Sequence, residues 1–185
     1  MKNLKKFILI AFAFLLVLSS TACANPEKIA EENVEKTLGL LQRLDRAEFE
    51  REFGIEEAAE TFDFKNDMQE QIAKTFFSKL TYEIKEVVKE DDKVIVTTEI
   101  TIPDLEEVTT KVFDDVILTL MDNLENATED EIAEYTEQKF LEFLKDPNVQ
   151  MKTDTIYIVN EKIDGKWQIV DTADLFKAMY GDLAL

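Results

Sequence analysis

The chain has 185 residues with 40 acidic and 21 basic side chains and no histidine, and its formal net charge is −19. This charge argues against nucleic acid as a partner, because phosphate binding needs clustered lysine and arginine. Anionic lipid headgroups would repel the chain for the same reason. A hydrophobic content of 45%, with 13 phenylalanines, is too high for a disordered protein and indicates a globular domain.

The first 22 residues have the three regions of a bacterial secretory signal. Lys2, Lys5 and Lys6 precede an uncharged apolar run at 7–18, and small residues follow it. The run is shorter than the about 20 residues that span a bilayer, and no positive flank follows that would stop translocation. We therefore interpret residues 1–22 as a signal peptide and residues 23–185 as the exported part. Without the three lysines, that part has 18 basic residues and a formal charge of −22.

Cys23 is the single cysteine of the chain. Residues 18–23, Leu-Ser-Ser-Thr-Ala-Cys, resemble a bacterial lipobox, and the resemblance implies that Cys23 receives a diacylglycerol and becomes the first mature residue. Lipidation would also remove an unpaired reactive thiol from an exported protein. The alternative is an A-x-A site at Ala22 and Ala24 for ordinary signal peptidase, with cleavage before Asn25. We favour lipidation, and both interpretations remain open at this stage.

Helical periodicity dominates the first part of the exported chain. Asn25 and Pro26 predict a cap and a first-turn proline for a long helix. Apolar residues then recur on one side of this helix, at Ala30, Val34, Leu38, Leu41 and Leu44. The pattern at Met68, Ile72 and Phe76 predicts another amphipathic helix.

From Leu80 the apolar period changes to two, which is typical of strands. Tyr82 and Ile84 continue one face, and residues 90–92 form a turn. The second strand has one predicted face, made of Val94, Val96, Thr98, Ile100 and Ile102. We therefore expect an antiparallel hairpin.

Two further helices and a second hairpin follow. The first helix has a predicted buried stripe made of Leu105, Val108, Val112, Val116, Leu120 and Leu124. Three more apolar residues widen the predicted stripe: Phe113, Ile117 and Met121. Thr128 and Glu131 predict a capping box for the second helix. The hairpin spans about 151–159 and 166–170, turns at Asp164-Gly165 and places Trp167 inward. A short helix from Asp174 to Tyr180, followed by Gly181, ends the fold.

Two sequential hairpins favour an antiparallel sheet with helices on one face, an α+β fold. Residues 163–171, Ile-Asp-Gly-Lys-Trp-Gln-Ile-Val-Asp, with the tail at 174–183, resemble the C-terminal signature of uncharacterised lipoproteins of Gram-positive bacteria. Those domains are similar to the NTF2-like, or cystatin-like, superfamily, and the hairpin at 82–97 and the transition at 102–105 match the same arrangement. The length of the exported part and the lack of an internal linker predict a single domain over residues 23–185, and the order of elements places a helical pair between the two hairpins. The resemblance implies a curved antiparallel sheet packed on helices, with a cavity in some members. It implies no activity, because this fold carries many functions.

The sequence carries no pattern for a cofactor, a metal or a catalytic group. Without histidine, Ser-His-Asp and Cys-His catalysis and His-ligated metal sites are excluded. The four glycines form neither a P-loop nor a dinucleotide fingerprint. Carboxylate pairs such as Asp114-Asp115 and Asp91-Asp92 are the remaining acid–base option, and we interpret them as helix surface and turn.

Four aromatic residues have two interpretations. Phe62, Phe64, Tyr82 and Tyr157 would line a pocket for a small apolar ligand, or they would pack in the core.

Two functional classes therefore follow from the sequence. We favour a non-catalytic, lipid-anchored domain on the outer face of the cell membrane that binds an unknown protein or a small apolar ligand. The alternative is an NTF2-like enzyme that uses a buried carboxylate on a small hydrophobic substrate.

Overall fold

The structure is a computed structural model that describes residues 25–53, 62–123, 127–171 and 173–181, with the backbone alone at 52–53 and 120–123. The signal peptide at 1–22, Cys23 and the cleavage alternative at Ala24 lie outside the described residues.

The described residues form helices and strands in the predicted order. The elements are α1 (Pro26–Arg43), α2 (Arg46–Phe53), α3 (Asp67–Ser78), β1 (Thr81–Glu90), β2 (Lys93–Pro103), α4 (Leu105–Asn123), α5 (Glu129–Lys145), β3 (Met151–Ile163), β4 (Lys166–Asp171) and α6 (Ala173–Tyr180). A helical pair, α4 and α5, therefore separates the two hairpins, as the sequence predicts. The mixed α+β class is confirmed.

Local sequence signals place several element ends. The side chain of Asn25 accepts a hydrogen bond from the backbone N–H of Glu27 at 3.1 Å, which caps α1. The capping box of Thr128 and Glu131 is present at the start of α5. In the β3–β4 turn, Asp164 and Gly165 have φ values of 51° and 81°, the left-handed pair that a tight hairpin turn requires.

The four strands form one antiparallel sheet in the order β1-β2-β3-β4. A bulge interrupts β1, because Ile84 pairs with Thr98 while Glu86 pairs with the very next residue, Thr97. The inserted residue changes the alternation of β1, so that Val87 lies on the same face as Ile84. The bulge thus keeps both Ile84 and Val87 on the inner face.

The core lies between the helices and one face of the sheet, the inner face. Its β2 residues are the five predicted ones, and all are buried: Val94, Val96, Thr98, Ile100 and Ile102. Helix α1 packs across this face, with Val34 and Leu38 fully buried. Trp167 and Ile169 of β4 are each 7% exposed, which confirms the predicted inward face of the last hairpin.

The predicted widening of the α4 stripe is wrong. Val108, Val112 and Val116 are buried, but Phe113 is 62% exposed and Ile117 is 38% exposed. Helix α4 contacts α5 and α6. These neighbours cover only part of the apolar surface of α4, so the residues at its edge remain exposed. The side chains of Met121 and Leu120 lie outside the described residues.

Candidate interaction surface

The two faces of the sheet differ in their covering. The inner face is buried along β2 and at the centre of β3, whereas the side chains of the opposite face, here called the open face, are mostly exposed or half-buried. The register places on the open face, among others, Thr81, Glu83, Glu86, Val88, Glu90, Lys93, Ile95, Thr97, Glu99, Thr101, Thr153, Thr155, Tyr157, Val159 and Glu161. A rigid sheet therefore presents a broad set of side chains to solvent.

Apolar side chains cross the open face in one row. Val88 pairs with Ile95, and Ile95 pairs with Val159, so the three lie side by side on adjacent strands. Tyr157 lies on the same face, two residues along β3 from Val159. Val88 is 36% exposed and Tyr157 is 54% exposed. Clustered exposed apolar residues with a polar rim are typical of interaction sites.

The charged residues around this apolar row are mostly acidic. The row on one side contains Glu90, Glu161 and Lys93, whose Nζ lies 2.7 Å from Oε1 of Glu161. Glu83 and Glu99 are direct cross-strand neighbours, an arrangement in which like charges repel. Lys85, in the bulge, bridges them: its Nζ lies 2.7 Å from Oε2 of Glu83 and 3.4 Å from Oε1 of Glu99. These contacts, with the hydrogen bond to Glu83 the largest cause, raise the pKa of Lys85. The bulge thus places a lysine whose positive charge offsets the repulsion between the two adjacent carboxylates.

Glu86 lies on the next row of the open face. It pairs with Thr97, which pairs with Tyr157 on its other side. Among the described residues, no ion pair involves Glu86. An exposed carboxylate and an exposed aromatic ring therefore lie on either side of a small hydroxyl side chain.

Of the four residues predicted to line a pocket, the structure brings Phe62 and Phe64 into contact and places Tyr82 and Tyr157 on opposite faces of the sheet. Phe62 is 8% exposed, and its ring packs edge-on against Phe49 at 5.3 Å and Phe64 at 6.0 Å between centroids. Tyr82 lies on the inner face, and its hydroxyl donates to the carbonyl of Glu35 at 3.4 Å. Burial, and then the charge of Glu35, raise the pKa of Tyr82. Tyr157 lies on the open face, on the other side of the sheet from Tyr82.

The predicted carboxylate pairs lie at surfaces. Asp115 of α4 accepts a hydrogen bond from the hydroxyl of Tyr135 at 2.7 Å, and Lys139 of α5 lies 3.8 Å away, whereas Asp114 is exposed. Asp91 has a φ of 50° in the turn between β1 and β2. In the part of the chain that the structure describes, no three acidic, cysteine or histidine residues group as a metal site.

The buried polar residues of the described chain are neutral: Asn33, Thr37, Thr98 and Asn160. Nδ2 of Asn33 donates to Oδ1 of Asn160 and to the carbonyl of Trp167, each at 3.1 Å. Trp167 belongs to β4, which lies at the edge of the sheet that the described residues form. Asn33 of α1 satisfies one carbonyl of this edge strand, while Nδ2 of Asn160 has no hydrogen-bond partner among the described residues. These groups can fix the position of α1, but they offer no acid or base.

Sequence reasoning missed the open face and the asparagine pair. A signal for the open face exists in β3, where residues 156–159 are Ile-Tyr-Ile-Val without polar alternation. A continuous apolar run indicates a strand that meets apolar surroundings on both faces. No comparable signal marks Asn33, which lies in an otherwise ordinary helical pattern.

Comparison with known proteins shows the fold. No family model and no curated protein matches the chain. The crystal structure of a candidate lipoprotein, YcdA of Bacillus subtilis, is similar, with a TM-score of 0.57 at 16% sequence identity. The match covers 83% of this chain and 55% of that one, so this chain spans little more than half of the YcdA chain.

None of the helices in the described ranges is both long and apolar enough to cross a membrane.

Proposed function

We propose that this protein is an exported lipoprotein, held on the outer face of the cell membrane by Cys23, whose body is a non-catalytic interaction domain. The observation that carries this proposal is the open face, where Tyr157 and Val88 are exposed next to the half-buried Ile95 and Val159. Exposed apolar side chains reduce solubility, so their clustering on a rigid surface favours a binding role.

The anchor is supported from two sides. The signal and lipobox pattern precede α1, which begins at Pro26, so little chain separates the folded body from Cys23. A similar structure, YcdA, belongs to a candidate lipoprotein. Because the body has a charge of −22, membrane residence depends on acyl chains, each of which contributes about 0.8 kcal/mol per buried methylene.

We further propose that the domain is of the NTF2-like, or cystatin-like, type. Support comes from the antiparallel sheet with one buried face, from α1 packed across that face, and from the helical pair between the hairpins.

An enzymatic role has less support. The alternative needs a buried carboxylate beside a small hydrophobic substrate, and the described residues include no buried aspartate or glutamate. The buried polar side chains of the described residues are amides and hydroxyls, which do not serve as general acids or bases near neutral pH. We therefore retain the interaction domain as the proposed function.

Two variants test the anchor and separate it from ordinary cleavage. Cys23→Ala removes the lipid acceptor but keeps an A-x-A site, and we expect this variant to leave the membrane fraction. Ala24→Leu removes the small residue that ordinary signal peptidase requires but keeps Cys23, and we expect it to remain lipidated and membrane-bound. Mass spectrometry of the mature wild type should show a lipid on an N-terminal Cys23. An unmodified N-terminus at Asn25 would refute the anchor.

A further inference from the structure

We infer that the open face binds an extended segment of a partner protein in which a lysine or arginine lies two residues from an apolar residue. This inference rests on the proposed function, because it names the partner chemistry of the same surface.

The spacing of the open face fits such a segment. The row of Glu86, Thr97 and Tyr157 lies next to the row of Val88, Ile95 and Val159. Rows on one face of a sheet are two residues apart along each strand, about 6.7 Å. Alternate side chains of an extended peptide point to one side with the same spacing. A segment that lies along the strands therefore places one side chain over each row.

The chemistry of the first row selects a cation. The Glu86 carboxylate is exposed and has no ion pair within the described part of the chain, and it attracts a positive charge. The exposed Tyr157 ring, 54% accessible, attracts a cation through the negative face of its π-system. Lysine and arginine also have the long apolar stem that can cross Thr97 between them.

The second row selects an apolar neighbour. The side chains of Val88, Ile95 and Val159 offer no hydrogen-bonding group, so a polar partner side chain would lose its water without compensation. Glu83 and Glu99 lie in the row on the other side of Glu86, and with the charge of Lys85 included they leave one net negative charge near the site.

Charge disfavours the other occupants. A second copy of this chain would bring two bodies of charge −22 together, and anionic lipid would meet the same repulsion. A basic partner segment gains from this field, since it is attracted before contact and most strongly at low ionic strength.

The test measures binding of two labelled synthetic peptides to the full lipidated chain in non-ionic detergent micelles. One peptide is an extended sequence in which lysine and valine alternate two residues apart, and the other has glutamate in place of lysine. Fluorescence anisotropy should show binding of the lysine peptide, weakened by added salt, and no comparable binding of the glutamate peptide.

Matched variants locate the site. Glu86→Gln and Tyr157→Ala should each weaken binding of the lysine peptide by roughly two- to five-fold. Asp114→Asn removes the same charge from α4, and Phe113→Ala removes an exposed aromatic ring from the same helix, so both controls should bind like wild type. Because all four side chains are exposed, the variants should fold normally.

Three results would each overturn the inference. They are no binding of the lysine peptide, equal binding of the glutamate peptide, and variants at Glu86 and Tyr157 that weaken binding no more than the α4 controls do. None of them bears on the anchor, which depends on the lipid at Cys23 and is measured separately. A lipidated protein that fails the peptide test would thus refute the partner chemistry alone.

Discussion

Asn33 of α1 and Asn160 of β3 are joined by a buried hydrogen bond, 3.1 Å from Nδ2 of Asn33 to Oδ1 of Asn160. The same Nδ2 also donates to the carbonyl of Trp167 at 3.1 Å. One side chain thus connects the first helix of the domain to two strands at the far end of the chain. A buried polar contact of this kind restricts how α1 can pack, because any shift would leave the amides and the carbonyl unpaired.

The two asparagines should differ in their contribution to stability. Asn33→Ala leaves the Oδ1 of Asn160 and the carbonyl of Trp167 buried without a donor, and we expect it to cost roughly 2–4 kcal/mol of unfolding free energy. Asn160→Ala removes one acceptor together with the unpaired Nδ2, and should cost about 1–2 kcal/mol. Both changes delete the same atoms, so cavity effects are comparable. Urea denaturation of the two variants measures the difference, and an equal or reversed order would contradict the assigned bonds.

Trp167 should be a major contributor to the core. Since the ring is 7% exposed, Trp167→Ala should cost roughly 3–5 kcal/mol. Tyr157→Ala, on the open face of the neighbouring strand, should change stability by no more than about 0.5 kcal/mol. Trp167 is the single tryptophan, so its emission reports directly on burial and should be blue-shifted and resistant to quenchers. Red-shifted emission with a near-neutral Trp167→Ala would show that the faces of β4 are reversed.

Two glycines should respond to alanine with opposite signs. Gly165 has a φ of 81° with open space around it, so Gly165→Ala should destabilise by about 1 kcal/mol through backbone strain alone. Gly39 lies inside α1, and a Cβ there would lie 3.1 Å from Nη1 of Arg43, the end of a flexible side chain that can move. Gly39→Ala should therefore stabilise by up to about 1 kcal/mol through helix propensity. Thermal unfolding of both variants gives the signs, and a stabilising Gly165→Ala would exclude the left-handed turn.

The capping box of α5 should give a pH-dependent contribution. Oε2 of Glu131 accepts from the backbone N–H of Thr128 at 2.8 Å and from its hydroxyl at 2.9 Å, which lowers the pKa of Glu131. A lowered folded-state pKa stabilises the protein fully above the ordinary glutamate value of about 4.3, and this contribution is lost as the pH falls through the folded-state value. The stability difference between wild type and Thr128→Ala should therefore be larger at neutral pH than below about pH 4. Urea denaturation across this range provides the comparison; a constant difference would mean that Glu131 does not titrate with the cap.

Much of the local structure followed from residue patterns. The period change at Leu80, the turn at Asp164-Gly165 and the capping box at Thr128 are each decided by neighbours in sequence, through side-chain alternation, backbone freedom and a local hydrogen bond. For the same reason the five buried positions of β2 could be predicted without knowledge of the partner strands.

The limits of the sequence are clearest at Phe113 and Tyr157. Both are large aromatics in apolar patterns, and the sequence alone favours burial for each, yet they are 62% and 54% exposed. Their exposure depends on which side of α4 meets α5 and on which face of the sheet the helices cover. Neither is a local property.

The sequence by itself determined the acidic charge, the absence of histidine, the signal pattern ending at Cys23, and the order of helices and strands. The tertiary structure alone decided which apolar residues remain exposed, and it brought Asn33 to Asn160 and Glu86 to the row of Tyr157. The physical reason is that periodicity reports only that one side of an element is buried. Which side is covered, and by what, depends on contacts between residues far apart in the chain.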